Sequence, residues 1–490
     1  MIRQFIVYGV ASAAARLAAI VLVPLYVRVL SIEEFGELEL VLAVHALMVI
    51  FGGLQTESAV MRDFYEPIHD GRHRANGWNA VVLSAVGCSF VCVAALLASM
   101  FGWLPPTVAK GEVLIPLMVL VLPAQLLGVQ LVIFRCVGAS WRFAVLSFGD
   151  LVLGLGLTAC FVGWFGLGVP GALLGLLVGK VISVSAAWPW TFGWPSPREW
   201  SKPSLRSMAA YGIPAVPAVF AGWVQNAGSR VTLAWTLGMT DVALAGVAIK
   251  VSAVYGIAVY SFRLAWEPRA MKHLATAVTS TPNYDRDATW YVAGMFFAAG
   301  AATILAPALT LLLASPAYAL AGSLAAFFIA GQFWAGLLSI TSIGIHGSRR
   351  SALLLPVTAI GALVNTIVLI ALAPVIGPHA AGIGFLMGSA SSAFLAARLS
   401  NRFHRTEISR RTLVVGFIAT VAFSLVWSLL LNRFPDALVS ARPMLMIGGI
   451  GVLLLAGTGA VMIRFGLPHA HLREGIRILR DGSVAAWSGQ

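Results

Sequence analysis

The sequence predicts an all-α, multi-pass membrane protein of about fourteen transmembrane helices, organised as two six-helix bundles with two extra C-terminal helices. Three observations carry this. Apolar segments of about 20 residues, the length that crosses a bilayer, recur along the 490 residues with no soluble domain between them. Charge is scarce, at 10% of residues against 59% hydrophobic, with a mean hydropathy of +0.89, which is too little charge to cover a soluble particle of this size. Basic residues in the connections also alternate in density from one loop to the next.

Taken in order, the expected spans are 5–30, 38–61, 78–104, 113–136, 143–166, 167–190, 208–237, 242–266, 288–314, 320–345, 352–376, 380–397, 411–431 and 444–465. Arg3 followed by Ala13-Ala14-Ala15 resembles a signal peptide, but the apolar run continues to Val29, so 5–30 is read as an uncleaved first span. With a cytoplasmic N-terminus, 24 of the 32 Lys and Arg fall in inner loops against 4 in outer ones. One missed helix would invert every later loop and spoil that asymmetry, so the count and the positive-inside orientation support each other. Both termini are expected on the cytoplasmic side of a bacterial cytoplasmic membrane. The net charge of +13 is explained by the same rule, and nucleic acid is not an expected partner.

The inner loop 191–208, with Pro195, Pro197 and Pro203, reads as a linker. It divides 1–190, an N-terminal six-helix bundle, from 209–400, a C-terminal one. Residues 401–465 add two helices. Residues 466–490 form a cytoplasmic tail in which Leu472, Ile476 and Leu479 sit at helical spacing among arginines, a pattern suited to an interfacial helix on an anionic leaflet.

The halves share an order of features. Tyr8-Gly9 opens one and Tyr211-Gly212 the other, and an acidic turn with Glu34-Phe35-Gly36 follows the first opening span as Ala245-Gly246 follows the second. Pro24 in the first span, and Pro214 and Pro217 in the seventh, occupy corresponding helices and are expected to act as hinges. The cysteines Cys88, Cys92, Cys136 and Cys160 show neither disulfide nor metal spacing, so no metal or cofactor is expected. Trp103, Trp188, Trp190 and Trp266 near span ends read as interface anchors.

Arg16, Lys180, Arg230 and Lys250 lie inside spans, where each costs about 2.5 to 3.5 kcal/mol at the bilayer centre. Arg16 and Lys180 fall near the midplane, and Arg230 and Lys250 roughly 10 to 12 Å below the outer ends of their helices. The interior acids Glu57 and Asp150 sit toward the inner side, at depths that do not neutralise these cations. The expectation is an unpaired positive field in a central, water-filled cavity that receives an anion such as a phosphate, for which the arginine fork is suited. Glu57 and Asp150 are candidates for ion coupling, and His45 could titrate.

The run Tyr8-Gly9, then Val23-Pro24-Leu25-Tyr26-Val27-Arg28-Val29-Leu30-Ser31 and Glu33-Glu34-Phe35-Gly36, resembles the opening of bacterial polysaccharide and O-antigen flippases of the multidrug, oligosaccharidyl-lipid and polysaccharide exporter superfamily. Tyr211-Gly212-Ile213-Pro214 through Ser229-Arg230 to Trp266-Glu267-Pro268 is similar to that family's seventh and eighth helices. The resemblance implies two six-helix bundles around a central cationic cavity, lined here by Arg16, Lys180, Arg230 and Lys250. It implies a cargo of undecaprenyl-pyrophosphate-linked glycan moved from the inner to the outer leaflet, with membrane lipids and other polysaccharide assembly proteins as partners. The family often has an acid just before the seventh-helix arginine; this chain has Ser229.

Two other readings compete. An ion-coupled multidrug or metabolite antiporter of the same superfamily exports organic cations, against which the interior positive charge argues. A membrane glycan polymerase or ligase needs catalytic groups on a sizeable outer loop, and the outer loops here are short. No G-x-x-x-x-G-K-[ST] loop is present, so the expectation is a carrier and not an enzyme.

Overall fold

Ser31 sets the first helix boundary. Its Oγ accepts from Glu34 N at 3.2 Å while Glu34 Oε2 accepts from Ser31 N at 2.8 Å, a reciprocal capping box that starts a helix at the next residue. Glu33 and Glu34 therefore form the first turn of a helix, where their charges meet the positive end of its dipole. The acidic turn expected from the sequence is the start of the second span.

The computed structural model describes residues 23–65, 73–193, 201–276, 282–348, 351–402 and 410–467. The helices are α1 Val23–Val29, α2 Ile32–Gly53, α3 Thr56–Tyr65, α4 His73–Met100, α5 Gly111–Cys136, α6 Ser140–Ala159 and α7 Gly168–Thr191. They continue with α8 Lys202–Gly212, α9 Val216–Asn226, α10 Gly228–Thr236, α11 Met239–Thr276, α12 Pro282–Leu313, α13 Ala321–Thr341, α14 Ile343–Gly347, α15 Leu354–Ile376, α16 His379–Ser400, α17 Arg410–Arg433 and α18 Ala441–Val461. Single π turns extend α6 at Cys160–Trp164 and α18 at Met462–Gly466. Among the described residues there is no strand, and thirteen helical stretches are long and apolar enough to cross a membrane. Each matches one of the expected spans from the second to the fourteenth. The first span, 5–30, lies outside the described residues except for α1, as does the tail at 468–490. The expected linker 191–208 ends in helix, because α8 starts at Lys202.

Packing groups the chain into two compact units, Met1–Gly246 and Val247–Gln490. In the first, Val129, Val132, Phe134, Ala80, Phe192 and Met208 are buried together, and Gln130 Nε2 donates to Val184 O at 3.0 Å between α5 and α7. In the second, Trp334 is fully buried, stacks on Phe394 at 5.5 Å and donates from Nε1 to Thr420 Oγ1 at 3.1 Å. Tyr291 OH donates to Phe333 O at 3.2 Å. Lipid supplies no hydrophobic force between helices, so close packing and internal hydrogen bonds of this kind hold them together. Of the expected tryptophan anchors, Trp103 and Trp190 are exposed, whereas Trp266 is buried and stacks on Phe262 at 6.2 Å. Trp188 packs against Trp78 and Phe192. Position near a span end does not distinguish an interfacial ring from a core one.

Candidate functional site

Helices α6 and α7 cross with almost no side chain between them. A Cβ on Gly179 would stand 3.0 Å from Gly154 Cα, and one on Gly175 would stand 2.5 Å from Thr158 N. This approach sets Lys180, beside Gly179, against Asp150, one turn from Gly154. Lys180 Nζ donates to Asp150 Oδ2 at 3.0 Å, with side chains 23% and 17% exposed. The sequence reading of Asp150 as too shallow to neutralise a cation is corrected. The helix begins at Ser140 and not near residue 143, so Asp150 lies about 15 Å along it, near mid-membrane like Lys180.

Arg230 is paired as well. Its Nε donates to Glu39 Oε2 at 3.0 Å, with side chains 14% and 4% exposed. Two glycines make room for this. A Cβ on Gly36 of α2 would overlap the backbone carbonyl of Met239, and one on Gly246 of α11 would stand 2.8 Å from Glu39 Cγ. The Glu-Phe-Gly and Ala-Gly features that mark the sequence repeat are thus the points where α2 and α11 touch. Glu39 lies about 10 Å along α2 from its start at Ile32, and Arg230 about 9 Å from the end of α10 at Thr236. The expected unpaired positive field is overturned for Lys180 and Arg230: each has a carboxylate at hydrogen-bonding distance.

Between α2 and α3, Leu54 and Gln55 adopt φ of 47° and 56°, the only positive-φ residues other than glycine among those described. Left-handed conformations cost L-residues roughly 1 to 2 kcal/mol each, so the surroundings must impose the break. Thr56 Oγ1 donates back to Gly53 O at 2.5 Å, and Gly212 abuts the Leu54 carbonyl so closely that a Cβ there would overlap it. The break re-aims α3 and places Glu57 against Gly128, whose missing Cβ leaves space for the carboxylate. Glu57, Ser58, Arg62, Arg135 and Tyr211 line one cavity of about 550 Å³, with the Arg62 guanidinium 4.8 Å above the Tyr211 ring.

The remaining sequence candidates divide as follows. Arg16 lies outside the described residues. Lys250 is partly buried on α11 and belongs to the second unit. Pro24 lies in α1. Pro214 sits in a 3-10 turn, Ile213–Ala215, and Pro217 in the first turn of α9, so together they break the 202–226 span. A left-handed break lies at Leu54-Gln55 instead, where no proline marks it. Glu39, Arg135 and this break were missed; the Gly52-Gly53 pair just before it was the available signal.

A model of the family described as polysaccharide biosynthesis protein matches residues 1–272. Among solved structures, an inward-facing multidrug resistance MATE family transporter of the MOP superfamily gives a TM-score of 0.58 at 17% identity, covering 80% of this chain and 97% of its own. The Vibrio cholerae MATE transporter VcmN in its bent form gives 0.53 at 16% identity, covering 82% and 98%. The lipid II flippase MurJ in an inward closed conformation gives 0.57 at 13% identity, covering 94% and 99%. At these identities the likeness establishes the fold. Among curated proteins nothing matches the chain.

Proposed function

Because this chain belongs to the polysaccharide biosynthesis protein family, we propose that it carries an undecaprenyl-pyrophosphate-linked oligosaccharide from the inner to the outer leaflet of the bacterial cytoplasmic membrane by alternating access. The observation that carries the reading is the Asp150 and Lys180 pair near mid-membrane. An ammonium at that depth needs a counter-charge, and a diphosphate offers more charge than one carboxylate. Cargo therefore takes over Lys180 from Asp150, and Arg230, Lys250 and Arg16 supply the other cationic contacts. Neutralising Asp150 with a proton or a metal cation releases Lys180 in the same way, which makes Asp150 the preferred coupling group. Glu57, which lines one cavity with Arg62 and Arg135, is the second. Pro24, Pro214 and Pro217 are the bending points.

A multidrug antiporter is the second reading, and one observation favours it. With Lys180 and Arg230 both paired, the positive field that disfavoured a cationic cargo is reduced. The test is a deletion strain complemented with wild type or with Lys180→Ala, membrane levels being matched. A flippase predicts lipid-linked glycan trapped on the inner leaflet in the deletion strain and poor rescue by the variant. Normal surface glycan in the deletion strain, with raised sensitivity to organic cations, would favour the antiporter.

A further inference from the structure

The two C-terminal helices carry a groove outside the proposed cargo-handling residues. It lies between α17 and α18, has a volume of about 520 Å³, and is floored by Ala419, Ala422 and Gly457. Its rim is open, with Ile418 60% and Val461 48% exposed, and a Cβ on Gly457 would meet nothing within 4 Å. One mouth is cationic. The guanidiniums of Arg411 and Arg464 stand 5.9 and 5.6 Å from the centroid of the same ring, Phe465, within the range of a cation–π contact.

We propose that this groove holds one anionic glycerophospholipid, with an acyl chain along the groove and the phosphodiester at Arg411 and Arg464. Length and charge both select that occupant. From Arg411 to Ala422 the groove follows α17 for about 16 Å, the depth of one leaflet in a hydrocarbon core of about 30 Å. An ordinary acyl chain is used up over that distance; a polyprenyl chain of eleven isoprene units overruns it. The two guanidiniums lie where a phosphate stands when its chains enter the bilayer, and arginine forks bind phosphate oxygens in pairs. Both Arg464 and Phe465 lie in the π turn Met462–Gly466 that ends α18. In the positive-inside reading this mouth faces the cytoplasmic leaflet, where anionic lipids give a negative surface potential. The site makes the carrier sensitive to the anionic lipid of its own membrane, whatever the cargo.

The test is native mass spectrometry of the full-length, detergent-purified protein titrated separately with phosphatidylglycerol and phosphatidylcholine. Wild type is expected to retain phosphatidylglycerol roughly thirtyfold better, from two arginine contacts near the surface. Arg411→Ala with Arg464→Ala reduces phosphatidylglycerol to the phosphatidylcholine level, and the double lysine variant restores most of the preference. Gly457→Trp, at a position whose Cβ meets nothing within 4 Å, fills the groove and removes both lipids. Equal retention of the two lipids by wild type, or an unchanged preference in the double alanine variant, overturns the proposal. So does one-for-one displacement of phosphatidylglycerol by undecaprenyl phosphate, which would assign the groove to cargo.

Discussion

Glu39 Oε2 lies 3.0 Å from Arg230 Nε, joining two helices whose paired residues are 191 positions apart. The chain has Ser229 where an acid commonly precedes this arginine in the family it resembles, and the carboxylate comes from α2 instead. A charge supplied by another helix ties that helix in place, whereas one supplied by the preceding residue does not. The pair is therefore both an electrostatic and a tertiary contact.

Breaking this pair from one side should be costly. Glu39→Gln or Arg230→Gln leaves one charge buried without its partner, for which about 3 to 5 kcal/mol is typical. The double variant should lose less than the sum of the two, with a coupling of roughly 0.5 to 3 kcal/mol. Melting temperatures of the four purified proteins in one detergent measure it, and additive losses would show that the two groups do not interact.

Gly246 should tolerate no side chain. With its Cβ position 2.8 Å from Glu39 Cγ, Gly246→Leu must push α2 away, and overpacking of this kind costs about 1 to 3 kcal/mol. Gly156, which has nothing within 4 Å, is the control: Gly156→Leu should melt within about 1 °C of wild type, since surface changes fall within roughly 0.5 kcal/mol.

The spans were legible because length and hydropathy are local properties, and thirteen helical stretches fall where the apolar runs put them. The pairing of charges was not legible. Glu39 follows Glu33, Glu34 and Glu37 and so looks like part of an acidic turn, until the capping box shows that the helix has already begun. For Asp150 the error was three residues in a helix start, which is enough to move a carboxylate by about 5 Å in depth. The left-handed break at Leu54-Gln55 falls on two residues that are neither glycine nor proline, with only the preceding Gly52-Gly53 pair to hint at it. It is imposed by Gly212 and Thr56, residues whose effect depends on packing.

That break yields an ordering that propensity alone does not. At Gln55, with φ at 56°, Gln55→Ile should lower the melting temperature most, because a β-branched residue is a poor fit to the left-handed region. Gln55→Ala should be mild and Gln55→Gly neutral or stabilising, since glycine takes that conformation at no steric cost. If isoleucine melted with glycine, the backbone at Leu54-Gln55 would have to be in another conformation.

The Asp150 and Lys180 pair separates stability from transport. Asp150→Asn leaves a neutral amide beside Lys180; it should lower melting and also weaken any dependence of export on the coupling cation, because the group that exchanges between the cation and Lys180 is gone. Replacing both, as Asp150→Leu with Lys180→Met, removes two charges from mid-membrane and should restore melting to within about 1 kcal/mol of wild type or exceed it, as for other buried pairs exchanged for apolar residues. Export should nonetheless stay low, because the ammonium that Asp150 hands over to the cargo is gone. Surface glycan and melting temperature measured on the same three proteins decide it. A double variant that both melts and exports like wild type would reduce the pair to scaffolding.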